Sequence, residues 1–539
     1  MKIRRIGIGA IALAAASALV LSGCATGGDT PSTSSSGDSS AIVSTNGSEP
    51  QNPLIPTNTT ETGGGKIVDA LFAGLVYYDE KGAPVNDVAE SIESTDAQNY
   101  TVKIKSGLKF TNGDPVDAAS FVDAWQYGAL LSNAQGSSYF FADIEGYSDS
   151  ADSPLTGLVV VDDTTFTIKL STPQSDFPLR LGYSAFYPLP KSAYADMKAF
   201  GENPIGNGPY KFASDTAWQH NVQVDLVANP DYTGGRAAKN GGLKIVFYAN
   251  QDAAYSDLLG GNLDVLDAIP DSQFANYKTD LGDRAVNQPA AIFQSFTIPN
   301  RLAHLGGKEG QLRRAAISMA IDREEITKVI FEGTRTPASD FTSPVIDGWT
   351  DSLKGADVLK FDPDEAKKLW AEADKISPWE GSFQIGYNSD GGHAGWVDAV
   401  TQGLKNNLGI DATGAPYPTF KELLTDEDNR TIQTAFRSGW QADYPGLFNF
   451  LSPLYQTGAG SNYGDYSNPD FDALLKKGAS ETDADAANKD YEAAQEILLT
   501  DLPVIPLWYS NVVGGHSEQV SNVKFGWNSV PLYYEVTKK

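Results

Sequence analysis

Thr431-Ile-Gln-Thr-Ala-Phe-Arg-Ser-Gly-Trp-Gln-Ala-Asp-Tyr-Pro-Gly446 is the stretch on which the reading of this chain turns. Residues 431–436 read as a strand, with Ile432, Thr434 and Phe436 on one face, because side chains alternate along a strand with a period of two. Gly439 and Pro445-Gly446 break that period, so a turn is expected after Phe436. Arg437, Trp440 and Asp443 fall in the turn and bring a permanent cation, a flat aromatic surface and a carboxylate together. Open α/β sheets place ligands at such strand ends. The competing reading makes Asp443 a solvated loop acid and Trp440 a core plug, and the segment alone does not decide between them.

Outward from this stretch, strand and helix patterns alternate. Residues 100–105 alternate as a half-exposed strand, and 117–127 read as a helix with Phe121 and Trp125 four apart. A hairpin is expected from 158–161 and 165–170 around Asp162-Asp163. Strands at 222–227 and 243–248 precede a helix at 252–259 that Gly260-Gly261-Asn262 closes. Residues 290–298 form another strand. Residues 312–330 are helical, with Asp322 and Glu325 spaced as a capping box where a second helix would start. Helices at 364–374, 396–407, 470–478 and 483–500 precede an extended apolar run at 502–509. The alternation indicates α/β architecture with mixed sheets and no internal repeat.

The chain has 539 residues, enough for two or three domains. Its 68 acidic and 40 basic residues give a net charge of −28. Such a balance excludes nucleic acid as a partner, since phosphate binding needs a basic face. Lys2, Arg4 and Arg5 precede an apolar run at 6–21 that is short for a membrane span, the pattern of an export signal. Leu21-Ser22-Gly23-Cys24 resembles the lipobox of bacterial lipoproteins, which implies cleavage after residue 23 and acylation of Cys24. Cys24 is the only cysteine, so no intramolecular disulfide can form. Residues 25–40 are rich in Gly, Ser and Thr and read as a flexible tether from the membrane.

No His-Glu-x-x-His, Gly-x-Ser-x-Gly, P-loop or Cys/His metal pattern occurs, so no cofactor or metal is expected and no catalytic residue is assigned. Gly206-Asn-Gly208 is followed by Pro209 and a strand-like Tyr-Lys-Phe, where a nucleotide loop would need a helix N-terminus. His220, His304, His393 and His516 are widely spaced and read as surface or loop residues. Asp426-Glu427-Asp428 reads as a solvated turn, and Thr482-Asp483 as the start of a helix.

Blocks along the chain resemble the extracellular solute-binding proteins of ABC importers, in the class of the oligopeptide- and dipeptide-binding proteins. They include Leu108-Lys-Phe-Thr-Asn-Gly-Asp-Pro-Val116, Pro204-Ile-Gly-Asn-Gly-Pro-Tyr210 and Asn229-Pro-Asp-Tyr232. Further along come Arg313-Arg-Ala-Ala-Ile-Ser-Met-Ala-Ile-Asp-Arg323, Phe361-Asp-Pro-Asp-Glu-Ala-Lys-Lys-Leu369, Asn468-Pro-Asp-Phe-Asp472 and Asp501-Leu-Pro-Val-Ile-Pro-Leu507. The resemblance implies a two-lobed, periplasmic-binding-protein-like (Venus flytrap) α/β fold. The first lobe would span 41–289, with a subdomain inserted at about 77–204. The second would span 290–501, and 502–539 would return to the first.

The same resemblance implies a monomer, lipid-anchored outside the cell, that closes over a peptide and presents it to a membrane permease. It lays Gly439-Trp440-Gln441-Ala442-Asp443 along the peptide and gives Asp443 the terminal ammonium. Arg437 and Trp440 correspond to lining residues of the family, and Tyr139 to a tyrosine facing the same cavity. Asp443 paired with Arg437 is the structural alternative. Gly446-Leu447 stands where the family often carries an acid and a proline, a departure that bears on peptide length. An oligosaccharide is the alternative ligand. A hydrolase built on a carboxylate pair that includes Asp443 is the remaining one.

Overall fold

Helix starts show most directly how local chemistry sets this structure, a computed structural model that describes residues 38–539 apart from 249, 390, 391 and 419. The export signal at 1–23, Cys24 and the tether as far as residue 37 lie outside the described residues. Asp117, Asp322, Asp362 and Asp483 each sit at an N-cap and accept a hydrogen bond from the backbone N–H three residues on. Each such cap contributes about 1 kcal/mol. The helices Ala118–Ala129, Arg323–Val329, Pro363–Ile376 and Ala484–Asp501 follow from them. The 312–330 stretch therefore divides into Gly307–Met319 and Arg323–Val329.

Behind the Asp117 cap, Phe121 and Trp125 are fully buried, and Trp125 meets Phe166 and Phe186 edge-on at 5.6 and 5.1 Å. The acid run at 426–428 departs from the expected turn. It closes the helix Phe420–Asp428, and Glu427 is buried. Leu423 of this helix packs with Ile432 and Phe436, and that apolar contact draws the following acids inward.

A twelve-stranded mixed sheet runs through the molecule. Its order is Asp411–Tyr417, Ser382–Asn388, Ala435–Gln441, Ala285–Thr297, Val504–His516, Val265–Leu266, Ile42–Gly47, Gly242–Phe247, Gln223–Ala228 and Tyr210–Phe212, with two short strands off this path. Ser382–Asn388 is parallel to both of its neighbours, and Ile42–Gly47 is parallel to Gly242–Phe247. Ala285–Thr297 and Val504–His516 form a long antiparallel ladder whose register breaks between Pro289 and Phe293. A separate antiparallel sheet joins Ala89–Ser94, Asn99–Ile104, Thr165–Lys169 and Leu158–Asp162.

Gly206 and Gly208 are explained by packing. A Cβ on Gly206 would lie 1.9 Å from the Leu71 carbonyl oxygen, and one on Gly208 would lie 2.6 Å from the Phe72 nitrogen. The loop closes on the end of the helix Thr62–Leu71 and leaves no room there for a phosphate.

Two large cores flank the central ladder. One gathers residues from Val43 to Val265 together with Val512, Phe525 and Tyr533; the other runs from Ala291 to Tyr509. Two aromatic side chains cross between them. Tyr444 leaves the second stretch of chain to pack in the first core, where its hydroxyl donates to Asp176 Oδ2 at 2.7 Å. Trp527, from the C-terminal segment, packs in the second core and meets Tyr78 edge-on at 5.4 Å. This crossing frames the candidate site. Among the described residues no helix is long and apolar enough to cross a membrane.

Candidate functional site

The residues singled out in the opening stretch lie on a strand and just past it. The strand is Ala435–Gln441, four residues later than its sequence pattern suggests. It pairs antiparallel with Ala285–Thr297, placing Arg437 opposite Phe296, Gly439 opposite Gln294 and Trp440 opposite Phe293. Gly439 does not break it. A Cβ there would sit 2.9 Å from the Phe293 carbonyl oxygen, so the glycine lets two backbones approach closely.

Beyond the strand, Gln441, Ala442 and Asp443 form one wall of a cavity of about 400 Å³. The opposite wall comes from the helix Thr62–Leu71, the Val76–Tyr78 strand and residues 182–187 and 526–534. Tyr77, Tyr78, Tyr183, Tyr187, Trp527 and Tyr534 supply most of its aromatic surface. Two cations line it, and both are engaged by acids. Lys66 Nζ pairs with Asp267 Oδ2, and Arg236 Nη2 lies 3.4 Å from Asp87 Oδ2. Burial opposes the Lys66 charge, yet the Asp267 carboxylate outweighs it and the lysine pKa is raised. Arg236 also caps the helix end through the Asp69 and Phe72 carbonyls, both at 2.8 Å.

Asp443 differs from these pairs. Among the described residues no cation lies within ion-pair distance of its carboxylate, and burial pushes its pKa up to about 6 against the restraint of a hydrogen bond from Asn449. Asp69, on the facing helix, is also pushed up by burial, with Arg236 and the Tyr187 hydroxyl at 3.0 Å drawing it back. Burial first and the Asp443 charge second raise the Tyr183 phenol as well. The cavity lining thus carries four acids, Glu61, Asp69, Asp79 and Asp443, while its two cations pair with Asp267 and Asp87.

Gln441 and Asp443 share this cavity, and Trp440 is tied to Asp443 through Asn449. Trp440 Nε1 donates to Asn449 Oδ1 at 3.1 Å while its ring packs on the second core. Tyr139, on the short 3-10 helix Ser138–Phe141, is not among the residues that line this cavity, and its ring is tilted by 33° against Phe140 with centres 4.6 Å apart. Although 56 % of Tyr139 remains accessible, the concave surround desolvates its hydroxyl, and Asp443 then raises its pKa further.

Arg437 stands apart, about 13 Å up the strand from Gln441 at roughly 3.3 Å per residue. Its Nε donates to Asn388 Oδ1 at 2.8 Å, and its guanidinium lies 4.3 Å from the Phe420 ring centre. The Asp443–Arg437 ion pair weighed in the sequence does not form, because a carboxylate beyond the strand's end and an arginine near its start face different surroundings.

Sequence reasoning passed over Asp69, Lys66, Arg236 and Asn449. The first three are brought to the cavity by contacts between distant parts of the chain, for which no local pattern exists. Asn449 did leave a signal. It is the lone amide in the apolar run Leu447-Phe-Asn-Phe-Leu451, and a buried amide there requires partners. Among the described residues no group of three His, Cys, Asp or Glu side chains is arranged to hold a metal ion.

The family model described as bacterial extracellular solute-binding proteins, family 5 Middle, matches residues 83–462. A dipeptide-binding protein of Bacillus subtilis (strain 168) is 27% identical over 470 residues, 84% of each chain. A periplasmic oligopeptide-binding protein of Salmonella typhimurium is 27% identical over 519 residues, 93% of this chain and 92% of that one. Among solved structures, a periplasmic murein tripeptide-binding protein in its unliganded open form superposes with a TM-score of 0.79 at 23% identity. That match covers 93% of this chain and 97% of the other.

Proposed function

The chain belongs to the bacterial extracellular solute-binding proteins, family 5, and we propose that it captures peptides outside the cell and delivers them to an ABC permease for import. Capture takes place by closure of two lobes, 41–289 with 502–539 and 290–501, over the ligand. The single observation that carries the reading is Asp443, a half-buried side chain whose carboxyl is desolvated by the surrounding walls and has no cation of its own among the described residues, on the wall of a cavity at the end of a strand. A buried carboxylate left without a cation destabilises the fold, and a peptide's terminal ammonium supplies the missing charge on binding. Ser382–Asn388 pairs with this strand only at Ala435 and Phe436, so the edge of residues 437–441 that faces away from Ala285–Thr297 gives such a ligand side-chain-independent hydrogen bonds, as extended peptides require. Two curated relatives bear the names of dipeptide- and oligopeptide-binding proteins, which agrees with this chemistry.

In this reading Asp443 anchors the amine, Trp440, Gly439 and Gln441 form the rail, and Tyr139 closes over it from the facing side. Arg437, further along the strand, receives the ligand's other end. Cys24 carries the lipid that holds the protein at the outer face of the membrane, where it works as a monomer.

The aromatic walls favour an oligosaccharide as the second reading, since sugar faces stack on such rings. Mass spectrometry of the ligand that copurifies with the protein separates the two. Peptides are expected, and a sugar would overturn the proposal. Replacing Asp443 by Ala is expected to abolish binding of free-amino peptides in calorimetry and to leave a sugar unaffected.

A further inference from the structure

Asn449 lies in the first turn of the helix Leu447–Tyr455, between Phe448 and Phe450, and only 5 % of it is exposed. Leu447, Phe450 and Leu451 beside it are buried in the second core. A leucine of similar volume would suit that company, so an amide persists there only if its polar atoms are bonded. They are, and each of these bonds goes to the same short segment. Asn449 Oδ1 accepts from the Asp443 backbone N–H at 2.9 Å and from Trp440 Nε1–H at 3.1 Å. Its Nδ2 donates to Asp443 Oδ2 at 3.1 Å. One side chain, rooted in a helix, therefore fixes the backbone at Asp443, the rotamer of its carboxylate and the plane of the Trp440 indole.

We propose that Asn449 is a positioning residue for ligand capture, holding the Asp443 carboxylate and the Trp440 indole in the arrangement that receives an ammonium group. The inference rests on the peptide-capture reading and deepens it. Asn449 acts through these two residues. The carboxylate keeps one oxygen on Asn449 Nδ2 and turns the other to the cavity, while the indole N–H, satisfied by Oδ1, leaves the ring as a wall.

The charge state of Asp443 tells a positioning role from a merely structural latch. The Nδ2–H donates to the carboxylate and so favours its ionised form, against the burial that opposes it. The groups facing Asp443 from other elements are the phenols of Tyr78, Tyr139 and Tyr183, each raised mainly by burial. Asp69 couples to Tyr78 and Tyr183 from the helix Thr62–Leu71, and Lys66 and Arg236 are the cations on the same wall. Glu61 and Asp79 complete the acids of the lining. A variant at Asn449 keeps all of these, so their titration is common to both proteins.

The test is equilibrium dialysis of the purified full chain against a pool of free-amino tri- to pentapeptides and the same pool N-acetylated, read by mass spectrometry from pH 5 to 8. For the wild type, retention of the free-amino pool should fall as pH drops through about 6. Asn449→Leu is expected to weaken retention about ten-fold at pH 8 and to move the midpoint of the fall up by about one pH unit, as loss of a hydrogen bond to a charged group requires. Asn449→Asp is isosteric and keeps both acceptor bonds, so it carries the test if the leucine variant does not fold. Two carboxylates then share one site and hold a proton between them, so the midpoint of the fall should lie above the wild-type value. Unchanged affinity in Asn449→Leu, an even loss at every pH, or a wild-type midpoint in Asn449→Asp would each overturn the positioning role. Failure of the wild type to retain either pool would instead overturn the peptide reading on which it stands.

Discussion

Asp443 and Glu427 are carboxyls placed on either side of the Ala435–Gln441 strand, the first half-buried and just past its end, the second buried in the helix before its start. Burial raises both, Asp443 to about 6 and Glu427 to about 7. The compensation differs. Glu427 has Arg437 and then Arg430 to offset its charge, with Asp428 working against them. Asp443 has only the dipole of the Asn449 amide. Among the described residues neither carboxyl has a cation within ion-pair distance, but two arginines act on Glu427 from further off while no cation acts on Asp443. Under the proposed function the counter-charge of Asp443 arrives with the ligand.

The strongest test of this contrast is affinity. Asp443→Ala should weaken binding of free-amino peptides by about 2–5 kcal/mol, at least ~30-fold in Kd, as removal of one partner of a buried charge pair does. Glu427→Ala should change it by less than ~3-fold. Calorimetry giving equal losses at both positions would erase the distinction.

Next in size is the pH dependence. Only a carboxylate and an ammonium pair, so wild-type affinity should peak at about pH 7, decline about ten-fold per unit below about 6, and fall again above about 8 as the peptide's own amine loses its proton. Glu427→Gln should leave that profile in place. A midpoint that follows Glu427 instead would transfer the anchor role.

Stability without ligand gives a smaller effect, of the opposite sign from what removing a partnered acid would produce. A carboxyl raised in the folded state binds its proton more tightly there, so its contribution is complete below the unfolded value and is lost as pH rises through the folded one. For Asp443 that window runs from 3.8 to about 6, and for Glu427 from 4.5 to about 7. Asp443→Asn and Glu427→Gln should each stabilise the unliganded protein at pH 8 by on the order of 2 kcal/mol, and hardly at all at pH 4. Urea unfolding at the two pH values measures this. The smallest effect is expected at the exposed Tyr139, outside the cavity lining, where Tyr139→Phe should alter peptide affinity by less than ~3-fold in the same calorimetry.

How far the sequence reveals these features depends on how local their causes are. The caps at Asp117, Asp322 and Asp483 are readable because donor and acceptor lie three residues apart. The fold class is readable for the same reason, since periodicity needs only neighbours. The strand carrying Trp440 is displaced from its expected position because Gly439, ordinarily a breaker, is held in the ladder opposite Gln294, 145 positions away. Glu427 sits in a run of acids and so resembles solvated surface, and only the packing of Leu423 with Ile432 and Phe436 turns it inward. Asp443 is conspicuous beside Trp440, whereas its partner Asn449 is found by asking what an amide does among phenylalanines. Lys66, Asp69 and Arg236 reach the cavity through contacts between distant parts of the chain, and nothing near them in the sequence announces it.

Gly439 also limits how such a protein can change its diet. With the Phe293 carbonyl oxygen 2.9 Å from where a Cβ would stand, any other residue would push apart the two strands that hold Trp440 and Asp443 in line. Under the proposed function, single substitutions that retune ligand choice are then available at Asp69 or Gln441 on the cavity wall, while the strand itself stays closed to them. A new taste is acquired by redecorating the room, and the floor beneath it has almost no mutational freedom.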